Sequence, residues 1–215
     1  MVTLTVFVEG GPNDGRPAAD TAQASAAFRE GFRKLFAQLP LAFRLVIEPI
    51  GPVSRAREYL ARIEAEGQEA LVLVDLDAPP AERQQRIEQF YKGLNTGNLY
   101  FMVQEMEAWI LSQPHAIEAF ARGENWRPKS PPGTLSEAPA LRRRPPEEIP
   151  HPSGVLDTLF RQHFEMEQKR GGQHLAKPAR YHKMQHAPAL IAGLDIHALK
   201  GAFGDVKALA ERLGP

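Results

Sequence analysis

Residues 70–77, Ala-Leu-Val-Leu-Val-Asp-Leu-Asp, constrain this chain more than any other stretch. A continuous apolar run closed by two aspartates is too uniformly hydrophobic for a strand with one wet face. It reads as a central parallel strand covered by helices on both sides. Parallel neighbours need helical crossovers, and the flanking sequence supplies them. Val2 to Val8 is β-branched and aromatic and stops at Gly10-Gly11-Pro12-Asn13-Asp14-Gly15, a cluster that continues neither strand nor helix. From Thr21 to Leu39 the apolar residues Ala24, Phe28, Phe32, Leu35, Phe36 and Leu39 recur at helical spacing. A short strand follows at Phe43 to Ile47, then a helix capped by Ser54 that runs to about Glu66 and stops at Gly67. Pro79 and Pro80 open another helix to about Gly93. Asn98 to Val103 gives a fourth strand, running straight into Glu105-Met106-Glu107-Ala108-Trp109-Ile110-Leu111. This alternation predicts an α/β fold: a mostly parallel, Rossmann-like sheet of about four strands flanked by helices, with functional groups at the carboxyl ends of the strands.

The α/β core is expected to span residues 1–121. Residues 122–152 collapse into proline, glycine and charge and read as a mobile loop or insertion, too polar to build a core. Residues 153–215 read as a C-terminal helical part packing on the core: Gly154 to Glu167 is amphipathic, Gly171-Gly172 breaks it, and Ala187 to Leu213 carries two short helical stretches. At 215 residues, one core with an appendage is the natural size.

Charge and cysteine usage narrow the functions. Lys plus Arg number 26 and Asp plus Glu number 26, so no whole-molecule field attracts nucleic acid or an acidic membrane, and such binding needs a local patch. The absence of cysteine removes disulfides, thiolate metal sites and cysteine nucleophiles. The first residues lack a basic n-region, and nowhere do about 18 apolar residues run together, so neither a signal peptide nor a membrane span is expected. A cytoplasmic setting fits this pattern.

Acids cluster at the predicted strand ends. Glu9 ends the first strand, Asp75 and Asp77 the third, and Glu105 the fourth. In an extended chain residues two apart face the same side, so Asp75 and Asp77 can present both carboxylates to one point. Magnesium takes one or two carboxylates and keeps several waters, which suits a short Asp-x-Asp. Each carboxylate alone reads better as a solvated residue or a helix N-cap. Three acidic strand ends on one sheet edge would repel one another without a cation, and that coincidence favours a metal site. If a helix begins at Glu105, then Met106, Trp109 and Ile110 share a face and put Glu105 and Glu107 on opposite flanks, leaving Glu105 the better ligand. Trp109 reads as core.

These residues resemble the Toprim-like domains, in which a Glu-Gly after the first strand and an Asp-x-Asp after the third form a magnesium site; here they are Val8-Glu9-Gly10 and Asp75-Leu76-Asp77. More closely, the chain resembles a bacterial family of domains of unknown function, family 4276, assigned to the same superfamily and associated with phage defence. Its shared segments read here as Gln104-Glu105-Met106-Glu107-Ala108 and Lys177-Pro178-Ala179-Arg180-Tyr181-His182-Lys183. Toprim relatives cleave or join phosphodiesters, some as nucleases in defence against phage, often beside an ATPase. The resemblance therefore implies a nuclease using Mg2+, with Mn2+ as a substitute, and Glu9, Asp75, Asp77 and Glu105 as metal-binding and catalytic residues. No tyrosine is recognisable as a topoisomerase nucleophile, and the loop from Gly11 to Gly15 lacks the lysine of some Toprim enzymes, so strand passage is not expected.

Lys177, Arg180 and Lys183 are the candidates for contacting the phosphates of DNA or RNA. They belong to a locally basic stretch, Arg161 to Lys183, that also holds Lys169 and Arg170 against only Glu165 and Glu167. The same stretch reads equally as a solvated face. His182 and His186 have the i, i+4 spacing of two zinc ligands, but no Glu follows His182 as the metalloprotease motif requires. A different class of function stays open: a non-catalytic partner or sensor of an ATPase that keeps the fold. The chain has no Gly-Lys-Ser or Gly-Lys-Thr phosphate loop, so ATP hydrolysis would belong to another protein.

Overall fold

The computed structural model describes residues 2–10, 18–129, 134–170 and 173–214. The predicted loop from Gly11 to Gly15 and the Gly171-Gly172 pair lie outside these residues. In chain order the elements are β1 (Thr3–Val8), α1 (Ala18–Phe36), β2 (Arg44–Pro49), α2 (Ala56–Glu66), β3 (Ala70–Asp75), α3 (Arg83–Phe90), β4 (Leu99–Met102), α4 (Met106–Leu111) and α5 (Pro114–Gly123). There follow β5 (Arg127–Pro128), α6 (Pro139–Arg142), α7 (Pro152–His163), β6 (Phe164–Arg170), β7 (Gln173–Pro178), α8 (Lys183–Ala192), α9 (Ile196–Ala202) and α10 (Gly204–Leu213).

The main sheet has strand order β2-β1-β3-β4, and every pair in it is parallel. The α/β class is therefore as the alternation predicted. Side chains of β3 alternate between two cores, as the strand period requires. Leu71 and Leu73 pack with Phe32, Phe36 and Trp109 on one face. Ala70, Val72 and Val74 pack with Leu60, Ile63 and Phe101 on the other. The first face is the thicker, because α1, α4, α8, α9 and α10 all lie against it. Helices α1 and α8 approach closely at Gly31, where a Cβ would fall 2.6 Å from the Pro188 carbonyl oxygen. Edge strand β4 is covered rather than left open. Asp205, at the start of α10, accepts the Phe101 N–H at 3.1 Å and is gripped by two nitrogens of Arg83.

Several local expectations need correction. Ser54 does not cap α2; a short 3-10 turn, Val53–Arg55, leads in, and Arg55 at the N-cap makes no side-chain cap bond. Gly67 does end the helix, at φ 59, in the left-handed region that glycine enters freely. Residues 122–152 contribute to the core: Trp126, Leu135, Ala138 and Ile149 are all buried in the main cluster. Prolines and 3-10 turns break their periodicity, so isolated apolar residues reach the core without leaving a sequence pattern. The C-terminal part is not wholly helical either. The antiparallel strands β6 and β7, with β5 at the edge, form a second, three-stranded sheet. Glu165 to Lys169 offers few apolar residues, so this hairpin carries almost no burial signal.

Candidate functional site

Because the four strands of the main sheet run in parallel, their carboxyl ends open on one edge, and Glu9 and Asp75 meet there. Glu9 comes directly after β1, and its Oε2 accepts the Asp75 N–H at 2.8 Å. Asp75 is the last residue of β3 and only 8 % exposed. Its Oδ1 accepts the Met106 N–H at 2.7 Å, so a carboxylate from one strand end satisfies the first N–H of α4. Its Oδ2 lies 3.4 Å from Lys183 Nζ, and that ammonium is also 3.4 Å from Glu107 Oε2. Glu107 is completely buried. Its Oε1 accepts the Tyr181 hydroxyl at 2.8 Å, whereas its Oε2 accepts no hydrogen bond among the described residues.

Lys183 and Tyr181 reach this point because the chain before α8 is not helical. Residue 182 is extended, with φ −128 and ψ 105, and in such a backbone alternate residues face opposite sides. Tyr181 and Lys183 turn towards the acids, while Arg180 and His182 line a separate cleft of about 900 Å³ with Lys177, Arg161, Trp126 and His186. Of the three cations predicted to contact phosphate, Lys177 and Arg180 therefore stand together, and Lys183 stands with the carboxylates.

Asp77 and Glu105 occupy the rim. The main chain turns sharply there: Asp77 (φ 52), Gln104 (φ 60) and His151 (φ 49) are three of the four described non-glycine residues in the left-handed region. All three line one cavity of about 660 Å³ with Glu105, Arg86 and Arg144. Backbone strain of this kind gathers where a structure holds groups for function. The Asp77 N–H donates to Gln104 O at 2.8 Å, and Arg86 donates to Asp77 O at 2.9 Å, so the Asp-x-Asp backbone is fixed beyond the strand. Asp77 is exposed; with Asp75 it also lines a second cavity, about 390 Å³, with Arg57, Arg86, Tyr91 and Phe101. Glu105 is tied elsewhere: its Oε2 accepts the Ser153 N–H at 2.9 Å, at the start of α7. Glu107 and Tyr181 are the members that sequence reasoning passed over. The face formed by Met106, Trp109 and Ile110 sets the two glutamates on opposite flanks, but every residue of α4 is buried, so the Glu107 flank is interior. The available signal was their place in the Gln-Glu-x-Glu-Ala and Tyr-x-Lys segments.

Burial dominates the electrostatics. It pushes the Glu9 carboxyl up to about 7, against the hydrogen bond from the Asp75 N–H and with help from the charge of Asp77. It raises Asp75 well above the usual carboxylate range, with Lys183 opposing and Glu9 and Glu107 adding to the rise. Burial works to lower Lys183, but Asp75 and Glu107 outweigh it and hold the ammonium above its ordinary value. Tyr91, which lines the cavity of about 390 Å³ with Asp75 and Asp77, is pushed up to about 12 by burial and then by Glu9 and Asp77. A pH dependence follows. The folded Glu9 holds its proton more tightly than the unfolded carboxyl, which titrates near 4.5. Its contribution to stability is thus complete below about 4.5 and is lost as the pH rises through about 7. In urea melts without divalent ions, wild type is expected to lose stability from pH 5 to pH 8 relative to Glu9→Gln. Parallel curves for the two would remove Glu9 from this account.

The donor chemistry fits a hard cation in a limited way. Among the described residues no three acids or histidines are gathered closely enough to form a metal cage. A cation here would rest on one or two carboxylates from Glu9, Asp75 and Asp77 and retain several waters, the habit of magnesium rather than of zinc. The histidine pair offers no alternative in this arrangement. His186 Nδ1 accepts the His182 N–H at 3.1 Å, and its ring packs against Phe120 and Trp126. Burial, then the neighbouring His182, holds it down to about 4.

Fold and site together define a parallel α/β protein with a buried acid–lysine centre at the carboxyl edge of its sheet. The chain belongs to the family described as Domain of unknown function (DUF4276), whose model matches residues 25–214. That span contains Asp75, Asp77, Glu105, Glu107, Tyr181 and Lys183 and begins after Glu9. No curated protein and no solved structure matches the chain. Among the described residues, no helix is long and apolar enough to cross a membrane.

Proposed function

We propose that this protein is a magnesium-dependent nuclease of Toprim type that hydrolyses phosphodiesters. The observation that carries the reading is the meeting of Glu9 with Asp75 at the ends of two adjacent parallel strands, with buried Glu107 beside them and, among the described residues, Lys183 alone paired with Asp75 and Glu107. A buried group this rich in acid favours cations and protons. When bound, the divalent ion would polarise the phosphodiester and the attacking water. Glu9, poised near neutrality, is suited to accept a proton from that water. Lys177 and Arg180, both exposed in the neighbouring cleft, would hold flanking phosphates of DNA or RNA. The phage-defence setting and an ATPase partner are supported by resemblance of motifs alone.

One observation favours the second reading, a non-catalytic partner or sensor subunit that retains the fold. Lys183 already bridges Asp75 and Glu107, so that part of the site is compensated without an ion. The two readings separate in an assay of labelled single-stranded DNA, duplex DNA and transfer RNA with Mg2+ or Mn2+. The nuclease reading expects cation-dependent cleavage of at least one substrate by wild type and its loss in Glu9→Gln/Asp77→Asn. Cleavage that persists in the double variant, or its absence from wild type on all three, goes against it.

A further inference from the structure

We infer that Asp75 and Glu107 form a cation-binding pair whose resident occupant is Lys183, and that a divalent cation enters by displacing this ammonium. The inference rests on the metal-dependent reading above and adds to it a residue, Glu107, and a competitor. Two acids from different elements, the end of β3 and the second residue of α4, face one cation at 3.4 Å each. Glu107 is fully buried, and among the described residues its Oε2 accepts no hydrogen bond and faces one cation, the Lys183 ammonium. Its other oxygen is fixed by the Tyr181 hydroxyl, which orients the carboxylate towards Lys183. An uncompensated carboxylate at such depth is costly, so the pair favours a bound cation or a proton over standing charged and alone.

Lys183 is built to be that cation and also to leave. Its side chain is 45 % exposed, whereas Asp75 and Glu107 are closed off. The ammonium sits on a flexible four-carbon stem, at the first residue of α8, with Arg180 and His182 immediately before it in the wall of the basic cleft. Withdrawn from the acids, it can swing into solvent without unfolding any element. The protein thus carries its own substitute for the ion, which keeps the acids folded while the ion is absent and sets a threshold for its binding.

Calorimetric titration of the full chain with Mn2+ at low ionic strength tests this without any assay of cleavage. Lys183→Met is expected to bind Mn2+ at least about tenfold more tightly than wild type, since even a well-screened unit charge next to the site is worth that much. Lys183→Arg, which keeps the charge, should stay within about threefold of wild type, a smaller step than loss of the charge would give. Glu107→Gln can still accept the Tyr181 hydroxyl and leaves Lys183 facing one acid; it should bind at least about tenfold more weakly. Should Lys183→Met not fold, the Glu107→Gln result decides. If wild type binds Mn2+ and neither Lys183→Met nor Glu107→Gln differs from it, the inference is overturned while the metal-dependent reading stands. If neither wild type nor Lys183→Met binds Mn2+, both fall.

Discussion

Asp75→Asn is expected to leave the protein folded while removing both its response to divalent ions and its proposed activity. Asn can still accept the Met106 N–H through its oxygen, so the 2.7 Å bond to the start of α4 survives. Lys183 keeps Glu107 as a partner at 3.4 Å, so no charge is stranded. The change also removes a carboxyl whose ionisation burial opposes. The melting temperature without divalent ions should therefore stay close to that of wild type or rise. What is lost is the anionic oxygen at the meeting point of the strand ends. Cleavage should fall by about 10²–10³-fold, the size seen when one preorganised electrostatic contact at a reacting centre is removed. The rise in melting temperature on adding Mg2+ or Mn2+ to wild type should vanish. Equal shifts in wild type and Asp75→Asn would mean that the cation binds elsewhere.

The largest effect on stability is expected at Trp109. Its side chain is completely buried in α4, with the Phe32 ring at 6.5 Å and the Phe203 ring at 6.3 Å. It joins α1 to the approach of α10 across the thicker core. Trp109→Ala leaves a large cavity and should cost about 3–5 kcal/mol. At roughly 2–4 °C per kcal/mol for a chain of this size, the melting temperature should fall by roughly 6–20 °C. Trp109→Phe should cost much less, because the indole N–H is buried with no hydrogen-bond partner among the described residues, and its removal relieves an unsatisfied donor. Chemical denaturation of the three chains measures both effects. An Ala variant as stable as the Phe variant would show that packing at this position is not tight.

What could be read from residues alone follows from how local each signal is. The run at 70–77 and the alternation of strands and helices dictated a parallel sheet, because strand and helix periods are written within a few residues of one another. Parallel direction then placed Glu9 and Asp75 on the same edge before any contact was known. The Trp126 and Ile149 contributions to the core lay beyond that reach, as did the β6–β7 hairpin, since both depend on distant partners and leave no period of their own.

The sequence by itself determined the class of fold, the edge at which acids gather, and the candidates Glu9, Asp75, Asp77 and Glu105. Only the tertiary structure decided their company. It fastened Glu105 to the Ser153 N–H, buried Glu107 beside Asp75, and drew Lys183 away from the basic cleft to stand between them. The physical reason is burial. A one-dimensional pattern tells which residues can ionise, whereas the depth at which a charge comes to rest, and therefore the partner it must find, depends on how helices far apart in the chain close over the sheet.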